Sequence, residues 1–252
     1  MIKRVSSTIT REFQDYKILL RSVPSTVMVL FCVSVVFMNL LANKEIALNL
    51  SWLALDCGFI LSWISFLCMD MLTKRFGPKA AIKLSLFTVG ISLLVSLILY
   101  IVSMIPGNWG EYYTYNNSDV NGALNSTFGG TWYVLLGSAL AFIGSSIVNA
   151  LLNAFIGKTL DKNRFREYAI RSYISTVAAQ FVDNMIFALV VSHVFFGWTL
   201  LQCITCSITG CIVELVSEVI FSPFGYRVCK QWEHDGVGLA YLEYNSKRGD
   251  TV

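Results

Sequence analysis

Six apolar stretches, each long enough to cross a bilayer as a helix, constrain this 252-residue sequence more than any other feature. They run over 24–43, 50–72, 80–105, 132–156, 172–196 and 199–222. A helix needs ~20 apolar residues to span ~30 Å of hydrocarbon. In lipid the backbone must satisfy its own polar groups, which leaves helices or a closed barrel, and continuous apolar runs of this length are helical. The expected fold class is an all-α integral membrane protein with six transmembrane helices and no attached soluble domain. Charge fits this class, because only 14% of residues are charged where soluble domains carry ~25%.

The basic residues fix an orientation. Eighteen of the 19 Lys and Arg lie before stretch one, between stretches two and three, between four and five, or after six; Lys44 is the exception. By the positive-inside rule both termini are expected in the cytoplasm. The domains expected are a cytoplasmic segment 1–23, a membrane domain 24–225 with a long outer loop 106–131, and a cytoplasmic tail 226–252 with no assigned fold. Residues 1–23 have no apolar core of a signal peptide. They read either as a surface helix with Phe13, Tyr16, Leu19 and Leu20 at the interface or as a plain tail. Pro24 suits the opening of the first helix, and Ser222-Pro223-Phe224-Gly225 is expected to end the sixth.

The most informative stretch for chemistry is Arg171 to Phe187. It holds Asp183, with Asn184 beside it and Gln180 one turn earlier. On a helix Ser172, Thr176, Gln180, Asp183 and Phe187 share a face. A carboxylate near mid-membrane costs roughly 2.5–3.5 kcal/mol on insertion scales, so it should face the bundle interior and polar partners. It reads either as a site of binding or proton transfer or as an interhelical hydrogen bond. Glu214, in stretch six, is the second candidate for proton coupling, while Glu218 is expected to snorkel or meet Arg227. Asn39 and Asn43, with Lys44 adjacent, end stretch one and serve as packing glue or ligand contacts. Asp56 is expected near the outer end, in water; Asp70 could pair with Lys74 one turn on. Serines and threonines from Ser85 to Ser103 form one stripe on stretch three, as do Ser138, Ser145, Asn149 and Asn153 on stretch four.

Several function classes lack their motifs. No GxxxxGK[ST] is present, so this chain is not itself an ATPase of that kind. Neither HExxH nor GxSxG occurs, and the two histidines, His193 and His234, form no catalytic constellation with a nucleophile. A membrane enzyme is thus the weakest reading. Six of the seven cysteines lie in apolar stretches and read as small buried residues. Cys203-x-x-Cys206 lacks a second ligand pair for a metal, so no metal or other cofactor is expected.

Three local patterns carry a resemblance: Asn39-Leu-Leu-Ala-Asn-Lys44, Phe66-Leu-Cys-Met-Asp70 through Arg75-Phe-Gly77, and Arg171-Ser172 through Asp183-Asn184 to Phe187. In this order the chain resembles the queuosine precursor transporter family, also described as vitamin uptake (VUT) transporters. The resemblance implies a six-helix protein of the bacterial cytoplasmic (inner) membrane, with a fold like the substrate-binding subunits of energy-coupling-factor transporters. It implies uptake of a 7-deazaguanine such as preQ0, preQ1 or queuine. Many family members carry an acid where this chain has Asn153, which leaves open which of these is carried. A carboxylate such as Asp183 can accept both the ring N–H and the amine of a guanine-like base. Asn39, Asn43, Gln180 or Asn184 could serve the carbonyl and ring nitrogens. Trp52, Trp63 or Phe187 could stack on the ring. Lys44, Asp70, Arg171 and Asn153 complete the candidate substrate-binding set. The expected partners are the small deazapurine and the bilayer, with a homodimer left open and no nucleic acid. The first reading is a secondary transporter, with proton coupling as one means of driving it. The alternative is a binding subunit for an ATPase module, although stretch one lacks the Ala-x-x-x-Ala docking pattern.

Overall fold

The computed structural model of the chain describes residues 2–109, 117–130, 132–157 and 165–247, excluding the side chains at 2–10, 165, 168, 171 and 172. Helix α1 (Ile2–Ser22) leads into α2 (Ser25–Leu41), followed by the strands β1 (Glu45–Ile46) and β2 (Leu55–Asp56). Next come α3 (Phe59–Phe76), α4 (Pro78–Met104), α5 (Ser118–Gly129) and α6 (Trp132–Ile156). Helix α7 (Phe165–Phe187) continues through a π-helical turn, Ala188–Ser192, into α8 (His193–Phe195). Helix α9 (Leu200–His234) and α10 (Leu239–Ser246) end the fold.

Six long helices, α2, α3, α4, α6, α7 and α9, occupy the places of the six apolar stretches. By length and composition four stretches qualify as spans on their own: 78–104, 118–156, 173–195 and 200–234. A fifth span appears if the bent pair α1–α2 counts as one. Helix α3 falls short because its 18 residues include Asp70, Lys74 and Arg75. The expected helix over 50–72 also starts late. Residues 45–56 instead form a small hairpin, pairing Glu45 with Asp56 and Ile46 with Leu55. Asn49 in its loop has φ 53°, a left-handed conformation that asparagine tolerates.

Packing follows the polar stripes. Helix α7 lies between α6 and α9, α4 packs on α6, and α3 contacts α2, α4 and α9. Ser85, Thr88, Ser92 and Ser96 of α4 are buried, as are Ser138, Ser145, Asn149 and Asn153 of α6. Small polar residues on these faces let the helices approach closely. Phe31, Phe66 and Phe142 are fully buried and form an aromatic knot, with Phe66 edge-on to Phe142 at 6.4 Å. On the outside, Leu93, Leu94, Leu97, Ile98 and Ile101 of α4 are exposed, as are Ile204, Ile208, Ile212 and Ile220 of α9. These are the faces that hydrocarbon would cover.

The two termini build a cap at one end of the bundle. Helix α1 turns through 106° into α2, because Pro24 has no N–H to continue the helical ladder. Residues 2–22 are helical, and Leu19, expected at the interface, is instead fully buried in the core while Phe13 stays exposed. Lys83 of α4 bridges Glu12 (2.8 Å) and Asp15, and α1 packs on α10. The expected end of the sixth helix at Pro223 is wrong: α9 runs on to His234. An interior proline costs about 3 kcal/mol, but beyond it Cys229 and Trp232 are buried, the indole edge-on to Phe76 at 6.4 Å. The Arg75 guanidinium donates to the Val237 carbonyl (2.6 Å). Tyr241 of α10 is 3% exposed, and burial pushes its phenol above the ordinary value. Residues 226–247 are therefore structured, and the long loop also contains α5, capped by the Asn117 side chain.

Candidate functional site

One cleft gathers residues from α2, α3, α6, α7, α9 and the hairpin. Met38 and Ala42 come from α2, Asp56 from the hairpin, Ser62 from α3 and Ser138 from α6. Helix α7 gives Asp183, Asn184 and Phe187; α9 gives Cys206, Gly210 and Glu214. It encloses about 490 Å³ of atom-free space, open mouth included.

Local chemistry sets the cleft's shape. The Asp56 carboxylate accepts the Gly58 N–H at 2.7 Å, turning the chain into α3. A Cβ at Gly58 would meet Asp56 Oδ1 and the Met38 carbonyl, each at 2.8 Å, so this close approach requires glycine. At Gly210 a Cβ would stand 2.6 Å from Asn184 Nδ2, so the bare backbone of α9 makes room for that amide. The π turn after Phe187 shifts the register of α7, and the Cys203 thiol donates to the Ala188 carbonyl at 3.4 Å. Such turns occur often at functional sites.

The cleft is rich in acceptors. Asp183 accepts from Ser145 at 2.7 Å, and Glu214 accepts from Ser62. Asp56 accepts from Gly58. Each carboxyl thus uses one oxygen. The second oxygen of Glu214 and the Asn184 amide nitrogen make no well-formed hydrogen bond among the described residues, although the two groups are near enough to interact with each other. No Lys, Arg or His is among the described lining residues. Among the described residues no three Asp, Glu, His or Cys stand close enough to hold a metal ion. The acceptor atoms of this cleft can take hydrogen bonds from N–H or O–H groups of a ligand.

A second polar centre lies deeper between α3, α6 and α7. Asp70 is fully buried. One of its oxygens accepts from Asn149 (2.9 Å) and Asn153 (3.1 Å), the other from the Thr176 hydroxyl (3.1 Å). Asn153 also donates to Ser175 at 3.2 Å.

The candidates of the sequence divide between these centres. Asp183, Asn184, Phe187 and Glu214 line the cleft; Asp70 and Asn153 form the inner centre. Asn39 is packing glue: it donates to Ser92 (2.9 Å) and accepts from Ser138. Asn43 caps its own helix at the Leu40 carbonyl (3.1 Å), and Lys44 is exposed. Trp63 stacks on Phe221 at 4.1 Å and Trp52 is exposed; neither reaches the cleft, which leaves Phe187 as the stacking candidate. Gln180 is fully buried yet outside the cleft lining. The Arg171 side chain lies outside the described residues. Two expectations about acids fail. Asp56 is not simply wet but lines the cleft. Of the two alternatives expected for Glu218, snorkelling or meeting Arg227, the first fails: the side chain is 2% exposed, and α9 continues four turns past it.

A family model described as "Putative vitamin uptake transporter" matches residues 56–228. The match takes in Asp56, Asp70, Asp183 and Glu214 and leaves out the 39–44 pattern. Neither the curated proteins nor the solved structures yield a match. The matched span covers well over half of the sequence, runs through both polar centres, and lies within a bundle of apolar helices. The chain belongs to the putative vitamin uptake transporter family.

Proposed function

We propose that this chain imports a queuosine precursor, a 7-deazaguanine such as preQ0, preQ1 or queuine, across the bacterial cytoplasmic membrane with both termini inside. The observation that carries the reading is the acceptor-rich cleft: Asp183, Glu214 and Asp56 each hold one oxygen ready, with Asn184 and Phe187 beside them. A guanine-like ring supplies the matching donors, its ring N–H and exocyclic amine, and charge-assisted pairs of this kind are strong. Phe187 offers a face for the ring, and Asn184 donates to a carbonyl or ring nitrogen. Transport is secondary and proton-coupled, with Asp183 and Glu214 as carriers, since acids inside a membrane bundle mark proton relays.

The test is uptake of labelled preQ0, preQ1 and queuine into cells unable to make queuosine and expressing this chain alone, with Asp183→Asn in parallel. The expected result is uptake by the wild type and none by a well-folded Asp183→Asn. Binding by the purified protein without uptake would replace the secondary transporter with a binding subunit of an ATPase-driven importer. Equal uptake by Asp183→Asn would refute the role given to that carboxylate.

A further inference from the structure

The inner half of the α6–α7 interface holds polar atoms that nothing in this conformation uses. Gln180 is fully buried, and neither its amide oxygen nor its amide nitrogen has a partner among the described residues. The Asn149 amide oxygen and the Ser146 hydroxyl, both on α6 and both buried, are also without partners among them. Two bonds set the register of these helices: Ser145 meets Asp183, and Asn153 meets Ser175. The helices therefore run antiparallel, one turn of α6 to each turn of α7, and Asn149 lies level with Gln180. Gln180 is three residues before Asp183 and four after Thr176, so all three share a face. It stands between the cleft and the Asp70 centre.

Resting on the uptake reading, we propose that Gln180 and Asn149 form a second ligand station, entered after the Asp183 cleft and before release past Asp70. Its ligand is a planar heterocycle whose edge carries an adjacent donor and acceptor. A side-chain amide presents the complementary pair and binds such an edge through two hydrogen bonds. The unused Asn149 oxygen and Ser146 hydroxyl supply two further contacts. Neither Gln180 nor Asn149 lines the cleft, so the station opens when α6 and α7 move apart. Such movement of packed helices is a standard mode of conformational change. Asn149 is held in place from the other side, because its nitrogen donates to Asp70.

The physical basis is the cost of idle polar groups. A buried amide left unpaired destabilises a protein, and replacing it with an apolar side chain of similar size is neutral or stabilising. Gln180 thus makes no contribution to this folded state that Leu would not make at least as well.

The experiment compares wild type, Gln180→Leu and Gln180→Met, each purified for preQ1 binding and unfolding, and each expressed for preQ1 uptake. The expected result is binding within about twofold of wild type, an unfolding temperature equal or higher, and a maximal uptake rate at least about tenfold lower. Unchanged uptake by both variants overturns the station while leaving the uptake reading intact. A parallel loss of binding and uptake overturns it by assigning Gln180 to the first site. A clear loss of stability overturns it by revealing a structural partner for the amide. Wild-type protein that neither binds nor carries preQ0, preQ1 or queuine overturns the uptake reading, and the station with it.

Discussion

Replacing Asp70 separates a structural acid from the acids of the cleft. Among the described residues, Asn149, Asn153 and Thr176 donate to its carboxylate. Asp70→Ala removes the acceptor that all three share, and leaves Asn149 and Thr176 without it. At ~0.6 kcal/mol per interhelical bond, the average from membrane double-mutant cycles, the loss is about 2 kcal/mol. A stranded buried donor costs ~1–3 kcal/mol, and a cavity adds to that. Asn153 keeps Ser175, so we expect about 2–4 kcal/mol in total. Asp70→Asn behaves differently. Its amide oxygen can still accept from both asparagines, and its NH₂ can donate to Thr176, whose hydroxyl also accepts. What it loses is charge assistance, about 1 kcal/mol. The assay is reversible unfolding in mixed micelles, with substrate binding measured in parallel. We expect Asp70→Ala to be the less stable of the two by about 1–3 kcal/mol. Equal stability of the two variants, or an Asp70→Ala protein as stable as wild type, would refute the reasoning.

Other expectations follow from the cleft and the cap. Glu214→Gln replaces a carboxyl oxygen with an NH₂ without changing shape and should weaken preQ1 binding by about tenfold, ~1.4 kcal/mol, in equilibrium binding to purified protein; an unchanged affinity would remove Glu214 from the site. Gly210→Ala pushes a methyl to within 2.6 Å of the Asn184 amide, so preQ1 affinity should fall while the protein still folds. Trp232→Ala empties a buried position against Phe76 and should cost about 3 kcal/mol, read as loss of stability with ligand affinity preserved. Uptake should stop when a protonophore collapses the proton gradient, and persistence of uptake would rule out proton coupling.

Much of the bundle is legible in the order of residues alone. Continuous apolar runs determine helices in lipid, and the α6 boundaries, Trp132–Ile156, match the expected 132–156. The polar stripes of α4 and α6 were legible because helical periodicity places such residues on one face. The hairpin at 45–56 and the run of α9 through Pro223 were not, because both depend on what the segments touch. Local signals at Asp56 and Pro223 argue for water and for a stop; Trp232 against Phe76 and the cleft around Asp56 decide otherwise.

The sequence by itself determined a membrane bundle, its polar faces and the presence of two acids, Asp183 and Glu214, within it. Only the tertiary structure decided which polar groups meet. The bonds of Asp70 to Asn149 and Thr176, and of Glu214 to Ser62, join residues 79, 106 and 152 positions apart. Periodicity tells which side of a helix a residue occupies. It carries no information on which neighbouring helix faces that side or at what height, and these choices put Asp56 beside Asp183 and Glu214 while sending Asn39 to Ser92. The physical reason is that helix pairing is settled by the fit of whole faces, in which each buried polar group must find a partner.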